Sequence, residues 1–342
     1  MSAGTGPKAL AWIAPITAAA VCGWPASAVA AARSGDPPVT VEGSKLRSAL
    51  VCHGRIAADA RQPILYAPGT GSDGSQVWAL GHGAFEALGR PMCTVSFPDR
   101  TTADVQVSVQ YLVYAIRATA RRAHRPVALI GISQGGLLAR IALTYWPTLR
   151  RQITDVVSAA GTQHGVASAD GRAACAQSGC TPAVWQQLAG SHFLSALNNG
   201  RDETPGPTAW TTVRSATDTT VTPATGLHPT SALKGATNIL IQRVCPGRHT
   251  THIGTAVDSV TIAAITDAVT HRGPARFSRL GPDVCAHPYG AGLDEQQTSL
   301  FLSIADEVLR QGSANVPRVS REPRVRAWAQ DERTRKSASE GR

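Results

Sequence analysis

Short apolar runs alternate with amphipathic stretches along most of this chain. The run Val127-Ala128-Leu129-Ile130 is branched and free of charge, as a strand buried on both faces of a parallel sheet should be, and it breaks off at Gly131. Beyond the glycines, Leu137, Leu138, Ile141 and Leu143 return at helical spacing until Pro147 ends the stretch. Upstream, residues 63–67 read as a strand, 68–74 as a glycine-rich loop, 78–88 as a helix ending at Gly89, and 93–97 as a second strand. Residues 101–122 carry Val105, Val109, Leu112, Val113 and Ile116 on one face, which predicts a long amphipathic helix. Downstream, the pattern predicts strands at 155–160, 211–215 and 238–244 and helices at 257–269 and 294–309. Strands separated by helices at these intervals imply a mostly parallel sheet covered by helices on both faces. The rhythm breaks between 161 and 210, where an insertion carries a helix over 182–197. An insertion of that length in a compact domain predicts a cap or lid.

The junction at residues 126–140 carries the strongest chemical signal. Gly131-Ile132-Ser133-Gln134-Gly135 fits G-x-S-x-G, and it stands where a strand turns sharply into a helix, the context a nucleophile elbow requires. A side chain at either glycine would collide as the backbone folds back to expose the serine hydroxyl. The plain alternative is a serine in an ordinary glycine turn, and the flanking strand and helix argue against it.

At 342 residues with 43% hydrophobic content, the chain can bury a large core, expected as one domain over residues 33–312. The net charge of +10 suggests nucleic acid until it is located. Residues 313–342 alone hold +4 of it and aromatics are scarce elsewhere, so the excess reads as a solvated, disordered basic tail and no nucleic-acid partner is expected. At the other end Lys8 precedes the apolar run 9–22, and Ala26-Ser27-Ala28 and Ala28-Val29-Ala30 offer small-residue cleavage sites. Residues 1–32 therefore read as a secretory signal peptide, whose apolar run is too short and proline-broken for a membrane span. Export implies an oxidising compartment. Loss of Cys22 leaves six cysteines, an even number suited to pairing, and the proximity of Cys175 and Cys180 suggests a small closed loop.

A serine hydroxyl needs a base to take its proton and an acid to orient that base. In folds with this elbow the partners follow in the order serine, acid, histidine, on loops after later strands. Asp218 lies just past the strand ending at Ser215 and is the favoured acid; Asp202 falls in the insertion, Asp267 on a helix face and Asp283 beside a proline. Among the histidines after the acid, His228 comes too early and His271 sits at a helix end. His249 and His252 share one loop; His252 is preferred, because Ile253-Gly254 and a new helix follow it, and His249 stays in play. The developing oxyanion needs preorganised donors. The backbone N–H of Gln134 supplies one, and Thr70, in the glycine loop after the first strand, offers both an N–H and a hydroxyl. No Gly-Lys-Ser/Thr follows those glycines, so they form no phosphate loop. No histidine or cysteine cluster has ligand spacing, and neither a metal nor a cofactor is expected.

With these residues in hand, the sequence resembles the secreted lipase family typified by Candida antarctica lipase B. The likeness is carried in order by Pro63 to Gly71 (PILYAPGTG), Ser133 to Leu137 (SQGGL), Val184 to Gln187 (VWQQ) and Ser215 to Asp218 (SATD), and covers most of residues 48–283. It implies an α/β-hydrolase fold, Ser133 as nucleophile, Asp218 as acid, His252 as base, Thr70 with Gln134 as oxyanion hole, and Gln187 in the acyl pocket. It also implies disulfides Cys52–Cys93 and Cys245–Cys285. Departures are visible. Gly161-Thr162-Gln163-His164-Gly165 replaces the family's aspartate-bearing stretch, with His164 read as a hydrogen-bonded loop residue rather than a pocket wall. The family's C-terminal disulfide is absent, the histidine loop is one residue shorter after Cys245, and the Cys175, Cys180 pair is extra. The expected activity is a secreted, monomeric serine ester hydrolase working through an acyl-enzyme on lipid or other hydrophobic esters, at a lipid–water interface. A polyester depolymerase or small-ester esterase is the alternative in the same class. A binding module that kept the fold and lost activity is the alternative from another class, and it would not need all five residues.

Overall fold

The computed structural model describes residues 35–167, 169–311 and 316–330, besides Met1. The expected signal peptide lies outside them. In chain order the elements are α1 (Gly43–Ser48), β1 (Leu50–His53), β2 (Ile64–Ala67), α2 (Gly74–Ala87), β3 (Met92–Val95), the short turn α3 (Pro98–Thr101), α4 (Val105–Ala123), β4 (Val127–Ile132) and α5 (Gln134–Tyr145). They continue with β5 (Ile153–Ala159), α6 (Ala169–Ser178), α7 (Pro182–Gln187), α8 (His192–Asn198), β6 (Ala209–Arg214), β7 (Thr237–Leu240), the single turn α9 (Ile241–Val244), α10 (Ser259–Thr270) and α11 (Glu295–Gln311).

Among the described residues seven strands lie in the order β1-β3-β2-β4-β5-β6-β7, with β1 antiparallel at one edge and every other pairing parallel. Alternation along each strand sends its side chains to two separate cores. Leu65, Val95, Val127, Leu129, Val156 and Trp210 pack with α4 and α5 on one face. Ile64, Tyr66, Ala128, Ile130, Val157 and Val213 pack with α2 and α10 on the other. Helices on both faces leave no exposed residue in β2 and β4, which explains why both read as unbroken apolar runs.

Three disulfides are present among the described residues, Cys52–Cys93, Cys175–Cys180 and Cys245–Cys285. The first joins residues directly opposite in β1 and β3 and ties the antiparallel edge strand to the sheet. The third closes the base of the loop that carries both candidate histidines.

Some expected elements change shape. The single helix expected over 182–197 is two helices, because Leu188 leaves helical geometry and Gly190 takes φ 74° before Ser191 starts α8. The strand over 238–244 ends at Leu240 and becomes helical. The long helix begins at Val105 rather than 101, since Asp99, Arg100 and Thr101 are all left-handed. The largest correction concerns the stretch 316–330 of the basic tail expected to be solvated and disordered; the rest of that tail lies outside the described residues. Residues 316–330 pack on the domain: Val319 pairs backbone to backbone with Cys180, Trp328 lies against Tyr145 and Trp146, and Ala329 is fully buried. The apolar residues Val319, Val325 and Trp328, spaced among arginines, supply the contacts that charge composition conceals. Among the described residues no helix is long and apolar enough to cross a membrane.

Candidate active site

Ser133 sits at the apex between β4 and α5 with φ 51° and ψ −119°, a conformation rare for a residue with a Cβ. Its N–H donates to Ala159 O at 2.8 Å, tying the apex to β5. Glycines permit the approach of neighbours: a Cβ on Gly131 would overlap the Gly135 backbone, one on Gly135 would overlap Ala67 O, and one on Gly136 would overlap Ser158 Oγ. The sequence therefore pulls β4, α5 and the end of β2 closer together than any side chain at those positions allows.

His252 bridges serine and acid. Its Nε2 lies 3.0 Å from Ser133 Oγ and its Nδ1 lies 2.8 Å from Asp218 Oδ2, and all three residues are buried. His249, its competitor in the same loop, is exposed. Burial alone would raise the Asp218 carboxyl, but the hydrogen bond with His252, the charge of that imidazole when protonated, and the N–H groups of Val221 and Thr220 outweigh it and hold the group below the usual carboxylate range. An ionised Asp218 accepting from His252 Nδ1 fixes the tautomer whose free Nε2 faces the serine.

The loops of Asp218 and His252 are stitched together by hydrogen bonds from residues inside and outside the quoted motifs. Ser215 Oγ and Thr217 Oγ1 both donate to Thr250 O, Thr250 N donates back to Thr217 Oγ1, and the Gln242 amide spans Ser215 Oγ, Ala216 N and Arg248 O. Ser215 and Thr217 stand in the SATD motif, but Thr250 and Gln242 stand in none. These bonds hold Asp218 and His252 in one register although 34 positions separate them.

The two residues expected to bind an oxyanion stand side by side. Thr70 Oγ1 donates to Gln134 Oε1 at 2.7 Å, and the Gln187 amide nitrogen donates to both Thr70 Oγ1 at 3.1 Å and Gln134 Oε1 at 2.9 Å. Gln187 Oε1 accepts from Thr162 Oγ1 at 2.8 Å, which brings in a residue of the Gly161–Gly165 departure that sequence reasoning passed over. Gly69, next to Thr70, lies against the Ser133 side chain, since a Cβ there would stand 3.0 Å from Ser133 Cβ. His164 is a loop histidine between Thr230 O and Glu203, each at 3.0 Å. Asp267, on its helix face, is a buried partner of Arg279. Among the described residues no group of three His, Cys, Asp or Glu is placed to hold a metal ion.

A family model described as palmitoyl protein thioesterase matches residues 98–197. Lipase B of Pseudozyma antarctica is 34% identical over 215 residues, covering 61% of this chain and 62% of that protein, so the chain spans less than two thirds of that relative's length. The crystal structure of Aspergillus fumigatus lipase B superposes with a TM-score of 0.76 at 26% identity, covering 87% of this chain and 74% of the other. The architecture is the α/β-hydrolase fold, as the sequence predicts.

Proposed function

We propose, from this kinship with lipase B and an α/β-hydrolase fold, that the chain is a serine carboxylic-ester hydrolase of the lipase type. The observation that carries the reading is the continuous relay Ser133–His252–Asp218 beside Thr70 and Gln134. His252 Nε2 takes the proton of Ser133 Oγ as that oxygen attacks the ester carbonyl, and Asp218 holds the imidazole and stabilises the imidazolium. The tetrahedral oxyanion accepts from the Gln134 N–H, from the Thr70 N–H, and from the Thr70 hydroxyl once that O–H turns from Gln134 Oε1 toward the substrate. Collapse expels the alcohol, which leaves with the proton from His252, and the Ser133 acyl-enzyme remains. Water, deprotonated by the same histidine, then releases the acid.

The enzyme acts outside the cell as a monomer on lipid or other hydrophobic esters, at a lipid–water interface. Three disulfides and the signal-like residues 1–32 support export. The palmitoyl thioesterase match favours a long acyl chain and makes acyl thioesters a second substrate class for the same serine. Ser133→Ala should abolish hydrolysis of p-nitrophenyl esters with unchanged circular dichroism. Turnover near wild type in that variant would refute the nucleophile. Rates for p-nitrophenyl esters from acetate to palmitate, beside a palmitoyl thioester, separate a lipase from a small-ester esterase and from a thioesterase; no turnover of any of them leaves the binding-module alternative.

A further inference from the structure

Between Phe97 and Val105 three consecutive residues with side chains, Asp99, Arg100 and Thr101, adopt φ of 51°, 52° and 63°. Chirality disfavours even one such residue, and of the three only Asp99 is of a type that visits this region with any ease, and then singly. A run of three persists only where surrounding contacts over-determine it, and such strain collects at functional sites.

The contacts all lead to one place. Arg100 grips Gly71, the residue after Thr70, on both of its flanking peptides: the Arg100 carbonyl accepts from Gly71 N at 2.9 Å, and the Arg100 Nε and Nη2 donate to Gly71 O at 3.1 and 2.8 Å. The same guanidinium reaches Gln76 Oε1 at 3.3 Å, in the first turn of α2, and Thr101 Oγ1 donates to Ser72 O at 2.7 Å. On its other side the segment holds α7. Thr102 O accepts from Ala183 N at 3.1 Å, Asp104 Oδ1 accepts from Gln186 Nε2 at 2.7 Å, and Val105 N donates to Gln186 Oε1 at 2.9 Å. The loop of Thr70 and the helix of Gln187 meet again at Thr70 Oγ1. The left-handed turn is thus a joint between the two pieces of chain that surround the Thr70 hydroxyl.

We propose that Arg100 is a positioning residue for the oxyanion hole: its guanidinium and carbonyl lock the Gly71 peptide, and with it the direction in which the Thr70 N–H and hydroxyl point. The inference rests on the hydrolase reading above. Arginine suits the task because its rigid fork places two N–H groups on one carbonyl oxygen while a backbone bond closes the ring from the other side; a lysine ammonium lacks that fork. The left-handed backbone is what turns the Arg100 side chain and carbonyl toward the same glycine. Arg100 touches neither substrate nor nucleophile in this role, so its effect should fall on transition-state stabilisation and spare ground-state binding.

The test uses the full chain as wild type, Arg100→Met and Arg100→Lys, with p-nitrophenyl butyrate kinetics, melting temperature, and the inactivation rate with a p-nitrophenyl phosphonate, which forms an anionic tetrahedral adduct on the serine. Arg100→Met should lose about tenfold in kcat with KM within about twofold, and lose phosphonate reactivity in parallel. Arg100→Lys should recover only part of that loss. Because Arg100 is exposed, added ethylguanidinium should partly restore Arg100→Met and leave wild type unchanged. Wild-type kcat in Arg100→Met overturns the proposal, and so does a loss confined to KM. If Arg100→Met does not fold, a wild-type kcat in the folded Arg100→Lys overturns it equally. An inactive wild type instead refutes the hydrolase reading, so the two failures are distinct.

Discussion

Glu322 offers a direct measure of whether residues 316–330 belong to the fold. Both of its carboxylate oxygens accept from the start of α8, Oε2 from His192 N and Oε1 from Phe193 N, each at 2.9 Å. Ser191 Oγ accepts from the next N–H, that of Leu194. The α8 N-terminus is therefore capped twice, once locally and once by a residue 129 positions away along the chain. Each bond to a carboxylate shielded from water is worth about 1.5 kcal/mol net, with a few tenths more from the helix dipole, so Glu322→Ala should cost about 3 kcal/mol. The 3.6 Å pair with the His192 imidazole adds little, because that side chain is 80% exposed. Glu322→Gln keeps one acceptor, loses the charge, and should cost roughly half as much. In a domain of this size 1 kcal/mol moves the melting temperature by about 2 °C, so calorimetry of the full chain should find Glu322→Ala lower by about 6 °C. A shift under about 1 °C would refute the reasoning and return residues 316–330 to the solvated tail that composition suggests.

Two further outcomes follow from the geometry. His252→Ala should lower the initial rate of p-nitrophenyl ester hydrolysis by about a thousandfold or more while His249→Ala stays within about twofold; the reverse would move the base to His249. Glu203 is held down at about 2 from 4.5: burial works against this, but the hydrogen bonds from His164 and Lys234 N prevail, aided by the charges of His164 and Arg140. A depressed carboxyl binds fewer protons folded than unfolded, so its stabilisation is complete above the ordinary carboxylate pKa and vanishes as pH falls through about 2. Urea midpoints of wild type and Glu203→Gln should differ near neutral pH and converge on acidification; a pH-independent gap would contradict the assignment.

The parts of this fold legible in sequence are those fixed by local chemistry. β4 buries both faces, so it must be apolar throughout; the chain must turn back after it, so Gly131 and Gly135 flank Ser133. What stayed hidden depends on partners far along the chain. Gly190 separates α7 from α8, whose first turn Glu322 caps, and nothing near residue 190 announces a partner beyond residue 320. The tail misleads for a related reason. Charge averages over residues 313–342, while packing rests on Val319, Val325, Trp328 and Ala329, and arginine stems tolerate such neighbours while their heads stay in water.

The candidate site divides along the same line. Ser133, Asp218, His252, Thr70, Gln134 and Gln187 were each reached from short motifs or loop positions whose order along the chain mirrors the order of strands in the sheet, so sequence brings them within reach of one another. Bridging between the acid and base loops is instead done by Thr217, Thr250 and Gln242, and bracing by Arg100 and Thr162, none of which has a residue type that signals its task. A threonine hydroxyl on a carbonyl two loops away looks like any polar surface residue until the backbone is in place. The left-handed turn is the extreme case: a conformation that favours glycine is occupied by Asp99, Arg100 and Thr101, so local preference points away from the structure observed. Where local preference and observed backbone disagree this strongly, contacts elsewhere must supply the difference, and here Arg100 and Thr101 find them on Gly71, Ser72 and Gln76, while Thr102, Asp104 and Val105 just beyond bind the helix of Gln187.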